Sequence, residues 1–310
     1  MRGIAIIFTV LLISAHANAQ LSSREFISLA APVDEIVPAS QVSGGDDFVA
    51  LNNSGIRAAL QERDLEKAAS LFARAAALRP SCHVCSYNYA RALIKLGRSE
   101  SAVPVLRELV AERPDFADGH ASLGDALSLS GDHVASLPAY RQALEITPGD
   151  AVTLNNYANA LDAAGNVREA LDHLEKAIAA DPTLTEAHCN RGVLLFRMGK
   201  RDEALRSLRE AERLDPADAA TLSNIGVILD SQGDKKAARA YYSKALATDP
   251  DFEPAVFNLG LINIEEGNRR EAAAMLQRLE AADASLAPEL KRRFSSKWVI
   301  EASGYSGRRH

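Results

Sequence analysis

The residues with the most evident chemical potential are two cysteines, Cys82 and Cys85, separated by two residues. On a helix this spacing puts both side chains on one face, within reach of a disulfide bond. Unpaired thiols, or a redox or metal site, are the alternatives. A structural zinc site needs four ligands, whereas Cys189 stands alone, and a c-type haem needs a histidine where Ser86 stands. We therefore predict a Cys82–Cys85 disulfide, a free Cys189, and neither metal nor cofactor.

Catalytic motifs are missing from the rest of the sequence. It contains no phosphate-binding glycine loop, zinc-protease helix or nucleophile elbow. His120 and His188 are far apart in the chain and suit structural positions better than an acid–base pair. We therefore predict a non-enzymatic protein that acts by binding.

Composition favours helices and excludes some partners. The chain has 310 residues, of which 47% are hydrophobic, 25% charged and only 5% aromatic. Apolar residues that are mostly Ala and Leu favour close-packed helices over sheets. A net charge of -6 argues against nucleic acid as a partner.

The first 19 residues resemble an export signal. A basic second residue precedes an apolar run from Ile4 to Ile13, and small residues stand at Ala17 and Ala19. The run is about half of the roughly 20 residues that span a bilayer, which favours a cleaved signal peptide. An uncleaved N-terminal anchor is the alternative. We predict cleavage before Gln20, a periplasmic or secreted protein, and no stable membrane insertion afterwards.

Prolines and glycines reveal a repeat of 34 residues. Each half of the repeat has the apolar spacing of a helix, with glycine ending the first helix and proline stopping the second. The prolines are Pro80, Pro114, Pro148, Pro182, Pro216 and Pro250, and the glycines are Gly97, Gly131, Gly165, Gly199, Gly233 and Gly267. The repeat unit is therefore predicted to be helix–turn–helix.

These positions resemble the tetratricopeptide (TPR) repeat. The eighth position is small, as in Gly124, Gly192 and Gly226, and the twenty-fourth is large, as in Tyr140. The first repeat departs from the pattern, with Ile56 at the small position and Arg63 in place of the turn glycine. Repeats are predicted to start at Val49, His83, Ala117, Ala151, Thr185, Ala219 and Glu253. The resemblance implies an all-α, right-handed superhelical solenoid of about seven repeats over residues 49–284.

Two segments flank the repeats. Residues 20–48 contain helix-breaking prolines and paired glycines and are predicted to be flexible. Residues 285–310 are predicted to form a capping helix and a basic tail, because Leu290, Phe294 and Trp298 recur every four residues. A basic membrane- or acid-binding helix is the alternative reading.

The resemblance also implies a concave groove lined by the first helix of each repeat, where extended peptides bind. The sixth position of that helix is occupied by Asn88, Asn156, Asn190, Asn224 and Asn258. This row is similar to the asparagine ladder of O-GlcNAc transferase repeat domains, and an amide can pair with a peptide backbone. Alternatively, the amides satisfy polar groups between helices. Arg57, Arg91 and Lys95 are predicted to make one end of the groove basic.

The predicted function is a protein-interaction scaffold that holds an extended peptide or a partner helix in this groove. The alternative is an accessory factor of an envelope-assembly or polysaccharide-secretion machine that uses the convex face or the repeat edges. In both cases the partner is a protein of unknown identity.

Overall fold

A computed structural model describes residues 47–305, with side chains from residue 48 to residue 298. Within this range the chain forms helices and turns and no strand. The helices are α1 (Asp47–Arg57), α2 (Leu65–Leu78), α3 (His83–Lys95), α4 (Ser99–Glu112), α5 (Ala117–Leu129), α6 (His133–Ile146), α7 (Ala151–Ala163), α8 (Val167–Ala180), α9 (Thr185–Arg197), α10 (Arg201–Leu214), α11 (Ala219–Ser231), α12 (Lys235–Thr248), α13 (Glu253–Glu266), α14 (Arg269–Ala281) and α15 (Ala287–Tyr305). The predicted signal peptide, residues 20–46 and residues 306–310 lie outside the described residues.

The helices divide into two compact units. The N-terminal unit contains α1–α8 and ends at Leu184, and the C-terminal unit contains α9–α15 and begins at Thr185. In each unit the helices form pairs, and we call the odd-numbered helices α1–α13 the first helices and their even-numbered partners the second helices. From α3 onward, each first helix begins at the residue predicted to start a repeat.

The ends of the helices follow from local residue types. Asp132, Asp150, Asp218 and Asp234 each accept a backbone N–H at a helix start, which satisfies a donor that has no partner within the helix. The periodic glycines between first and second helices have φ between +72° and +88°, a left-handed conformation that favours glycine. Arg63 adopts this conformation in the first pair, with φ of +54°.

Close approach of the paired helices depends on a small residue facing a large one. A Cβ atom at Gly124 would lie 2.6 Å from the Tyr140 ring, and one at Gly226 would lie 2.7 Å from the ring of Tyr242. Both tyrosines are at most 1% exposed. Because their rings occupy the space of the missing side chains, both pairs bury a large aromatic surface at a close helix contact.

The first helix pair makes the same contact between a glycine and a large side chain, but its glycine is shifted by one residue. Gly55, and not Ile56, faces the buried Phe72 ring, with its missing Cβ 2.6 Å away. This glycine and its partner are one residue further apart in sequence than Gly124 and Tyr140. A π-helical turn over Ala58–Glu62 absorbs the extra residue, since a π-helix fits more residues into each turn. Helix α1 begins at Asp47, so the prediction of a flexible segment is wrong for Asp47 and Phe48, which are helical.

Helix α15 covers the end of the C-terminal unit. Leu290 is fully buried in a cluster with Leu276 and Leu279, and Phe294 and Trp298 pack against the same cluster. The Lys297 ammonium donates hydrogen bonds to the backbone carbonyls of Ile264 and Glu265 at the end of α13. A cation there satisfies carbonyls left open by the helix end and opposes the helix dipole. The contacts of α15 are therefore those of a cap.

We expect Leu290→Ala to lower the free energy of unfolding of the C-terminal unit by about 2–5 kcal/mol, because it empties a fully buried site. Urea denaturation and hydrogen exchange of the α13 amides measure the change. Lys291→Ala is the control, since this exposed neighbour should change stability by no more than about 0.5 kcal/mol. Equal curves for the two variants would contradict the capping role.

Candidate functional site

The sixth-position asparagines connect consecutive first helices. Within the N-terminal unit, Asn88 Nδ2 donates to Asn52 Oδ1 at 3.1 Å, from α3 to α1. Asn156 Nδ2 donates to Asp125 Oδ1 at 3.0 Å, from α7 to α5. In each case the amide reaches back to the preceding first helix.

In the C-terminal unit an asparagine also contacts the preceding first helix, but its acceptor is a sulfur atom. Asn224 Nδ2 on α11 lies 3.6 Å from the sulfur of Cys189 on α9. Asn190 and Asn224 are both buried, at 5% and 9% exposure, while Asn258 is half-buried. These contacts agree with the alternative reading, in which the amides satisfy polar groups between helices.

Peptide binding by the asparagines stays a prediction. The five residues differ in how far they are exposed to solvent. Asn88 has no exposed surface, so a ligand cannot reach it without movement of its surroundings. Asn156 and Asn258 keep exposed surface on their first helices. Of the predicted ladder, these two are the positions that a peptide could meet directly.

The predicted basic residues lie on α1 and α3. Arg57 is exposed, whereas Arg91 and Lys95 are half-buried. The Arg91 guanidinium lies 5.7 Å from the centre of the Tyr87 ring and donates to its hydroxyl at 3.2 Å. A guanidinium held by both a cation–π contact and a hydrogen bond is ordered before a ligand arrives.

Asp125 lies on the next first helix, α5, and its hydrogen bonds were not predicted from the sequence. Asp125 Oδ1 accepts both the Tyr140 hydroxyl at 2.8 Å and the Asn156 amide. Burial and the neighbouring Asp125 charge raise the pKa of Tyr140 well above its usual value, so the tyrosine remains a donor. Two signals could have indicated this network: an acid at the ninth position and a tyrosine at the twenty-fourth position of the same repeat.

The cysteines occupy two different environments. Cys82 and Cys85 are joined in the structure, with Cα atoms 5.3 Å apart at the start of α3, and Cys85 is fully buried. Cys189 is free and 3% exposed, and burial raises the pKa of its thiol to about 11. Cys189 therefore stays protonated and unreactive at neutral pH.

Two further properties concern the described part of the chain. Among its side chains, no group of three or more His, Cys, Asp or Glu residues is arranged to hold a metal ion. None of its helices combines the length and the apolar character needed to cross a bilayer.

Comparisons with known families decide the class of protein. The tetratricopeptide repeat family matches residues 59–125 and, through a second profile, residues 115–183. The family described as the Psidin N-terminal TPR repeats region matches residues 154–281. The chain is a tetratricopeptide repeat protein. Members of this class generally serve as non-enzymatic scaffolds for protein–protein interaction, and the number of repeats, about seven, stays a prediction.

Solved structures, a TPR protein among them, share this all-helical fold at low sequence identity. A tetratricopeptide repeat protein from Parabacteroides merdae is 15% identical with a TM-score of 0.67, covering 81% of this chain and 99% of its own. A chain of the APC/C hetero-tetramer Cut9–Hcn1 is 16% identical with a TM-score of 0.65, and the match covers 80% of this chain and 48% of that one. Pseudomonas aeruginosa pilF is 21% identical with a TM-score of 0.58, and the match covers 69% of this chain and 98% of pilF. No curated protein matches the sequence.

We expect one reactive thiol in the denatured, non-reduced protein, because Cys82 and Cys85 are bonded and Cys189 is free. Quantitative alkylation followed by mass spectrometry should find no label on the native protein, one label after denaturation and three after reduction. Cys189→Ser is the control and should remove the label seen after denaturation alone. Three labels without reduction would overturn the disulfide prediction.

We expect Asn88→Ala to lower the free energy of unfolding by about 1–3 kcal/mol, because it leaves the buried Asn52 carbonyl without its donor. Asn53→Ala is the matched control on α1, since this asparagine is exposed and should tolerate the change within about 0.5 kcal/mol. Urea denaturation of both variants measures the difference. Equal stability would mean that the Asn52–Asn88 contact contributes nothing to the fold.

Proposed function

We propose that this protein is an exported interaction scaffold that binds an extended segment of a partner protein. The binding surface is the first-helix face of its N-terminal unit, which we define as the solvent-facing sides of α1, α3, α5 and α7. Export is part of the proposal, because an oxidising compartment is where a disulfide such as Cys82–Cys85 persists.

The observation that supports this surface is the ordering of its half-buried polar side chains. Arg91 is held by Tyr87, and Asp125 is held by Tyr140 and Asn156. Side chains already fixed in one orientation lose little entropy when a ligand binds. A peptide backbone and its polar side chains can therefore pair with this face at low cost.

The same helices also offer apolar contacts. Leu129 at the end of α5 is 43% exposed, and Val152 at the start of α7 is 54% exposed. A mixture of ordered polar groups and exposed aliphatic side chains suits an extended peptide, which presents both a backbone and alternating side chains.

Exposed apolar residues on the second helices favour the alternative function, an accessory factor of an assembly machine. Leu78 on α2 and Val134 on α6 are 60% and 68% exposed, and Ile146 at the end of α6 is 36% exposed. A scaffold that docks a large assembly through its second helices would use these positions. The experiment must therefore separate the two surfaces.

The test is selection of binders from a displayed library of random peptides, followed by affinity measurement with two variants. In the first variant, Arg91→Glu and Asp125→Lys change the first-helix face. In the second, Leu78→Ser, Val134→Ser and Ile146→Ser change the second helices. We expect selected peptides to lose at least about tenfold in affinity with the first variant, corresponding to roughly 1.4 kcal/mol, and to bind the second normally.

Circular dichroism and thermal unfolding should first establish that both variants are folded. Loss of binding with the second variant alone would place the binding surface on the second helices and support the assembly-factor alternative. Failure to select any peptide would overturn the proposal of peptide binding.

A further inference from the structure

The first helices of the N-terminal unit separate their charges by sign. Apart from Asp47 at the very start of α1, every charged side chain on α1 and α3 except histidine is basic: Arg57, Arg91 and Lys95. Every such side chain on α5 and α7 is acidic: Asp118, Asp125 and Asp162. The sign of the charge changes once along the unit, between α3 and α5.

The change of sign occurs around a single aromatic side chain. Tyr87 on α3 is 5% exposed, packs edge-on against Phe116 at a centroid distance of 5.1 Å, and is hydrogen-bonded by Arg91. Phe116 is the residue immediately before α5. The Tyr87 side chain therefore contacts both Arg91 on the basic helix and the start of the acidic one.

The charges on both sides act on this phenol. Burial raises the pKa of Tyr87, the Arg91 charge lowers it, and the Asp118 charge raises it. The Arg91 guanidinium lies 5.7 Å from the centre of the Tyr87 ring, and the Asp118 charge acts on the same phenol from α5. Asp118 is exposed, so its carboxylate is accessible from solvent, as is the guanidinium of Arg57 two first helices away.

We propose that the first-helix face of the N-terminal unit binds an extended peptide whose charges are segregated, with acidic residues toward α1 and α3 and basic residues toward α5. This inference rests on the proposed function and adds the chemistry of the partner. Charge complementarity selects the register of such a peptide and penalises the opposite one, because like charges would then face each other.

The geometry of helix packing sets the expected spacing. Packed helices are about 8–10 Å apart, so the axes of α1 and α5, which are two first helices apart, are expected to be about 16–20 Å apart. An extended chain covers about 3.3–3.6 Å per residue. The acidic and basic residues of the partner should therefore be about five or six positions apart.

The test uses capped synthetic peptides of equal length, composition and zero net charge. One places two glutamates about five neutral residues before two lysines, one places the lysines first, and one intersperses the four charges. Fluorescence anisotropy at low ionic strength gives each Kd. We expect one of the two segregated orders to bind at least about tenfold more tightly than the interspersed peptide, and the difference to shrink as salt rises.

A charge-swapped protein provides the decisive comparison. Arg57→Glu, Arg91→Glu and Asp118→Lys together reverse both ends of the face, so the preference should invert to the opposite segregated order. The matched control is Arg107→Glu with Glu108→Lys on α4, two exposed residues of a second helix. That control should keep the original preference.

Equal affinities for all three peptides, or a preference that the charge swap leaves unchanged, would overturn the inference. The same holds if none of the charged peptides binds. In all these outcomes, peptides selected from the random library would still bind through the first-helix face if the proposed function is correct. Failure of charge order and failure of peptide binding are thus separate results.

Discussion

The close contact between a glycine on a first helix and a large side chain that fills the space beside it is the constraint on which the other packing depends. At Gly124 and Gly226 a tyrosine ring occupies the place of the missing side chain. Helices that approach this closely bury the apolar residues between them, which is how an array of short helices obtains a core. The π-helical turn in the first pair shows how strongly the contact is preserved, since the backbone changes its winding to keep Gly55 opposite Phe72.

This packing leaves the first helices with polar groups near their contacts with one another. Amides in such places need partners, and Asn88, Asn156 and Asn224 obtain them from the preceding first helix. The bonds hold consecutive first helices in register. These bonds use the amide nitrogens that the asparagine-ladder hypothesis requires, and the proposed function therefore assigns recognition to charged groups of the first-helix face. Arg91 and Asp125 are examples, each ordered by a tyrosine hydroxyl.

The ends of the described chain meet a different requirement. An internal pair is covered on both sides, whereas a terminal pair needs an element with one apolar and one polar face. Helix α15 provides it, burying Leu290 against α13 and α14 while the exposed ion pair Lys291–Glu280 joins it to α14. The Lys297 contact with the end of α13 adds a polar attachment to the apolar one. A basic side chain that suggests membrane binding in the sequence is thus engaged with the protein itself.

The sequence by itself determined the features that arise within one repeat. Helix boundaries followed from glycines and prolines, the class of fold from their period, and the cap from an apolar stripe at Leu290, Phe294 and Trp298, because each depends on residues within a few turns. Only the tertiary structure decided which groups meet across helices. It placed Gly55 rather than Ile56 in the close contact, gave Asn88 the partner Asn52, and brought Asp125 to Tyr140. These contacts depend on the angle and register between helices, and a hydrogen bond requires its atoms at about 3 Å, which a sequence period does not specify.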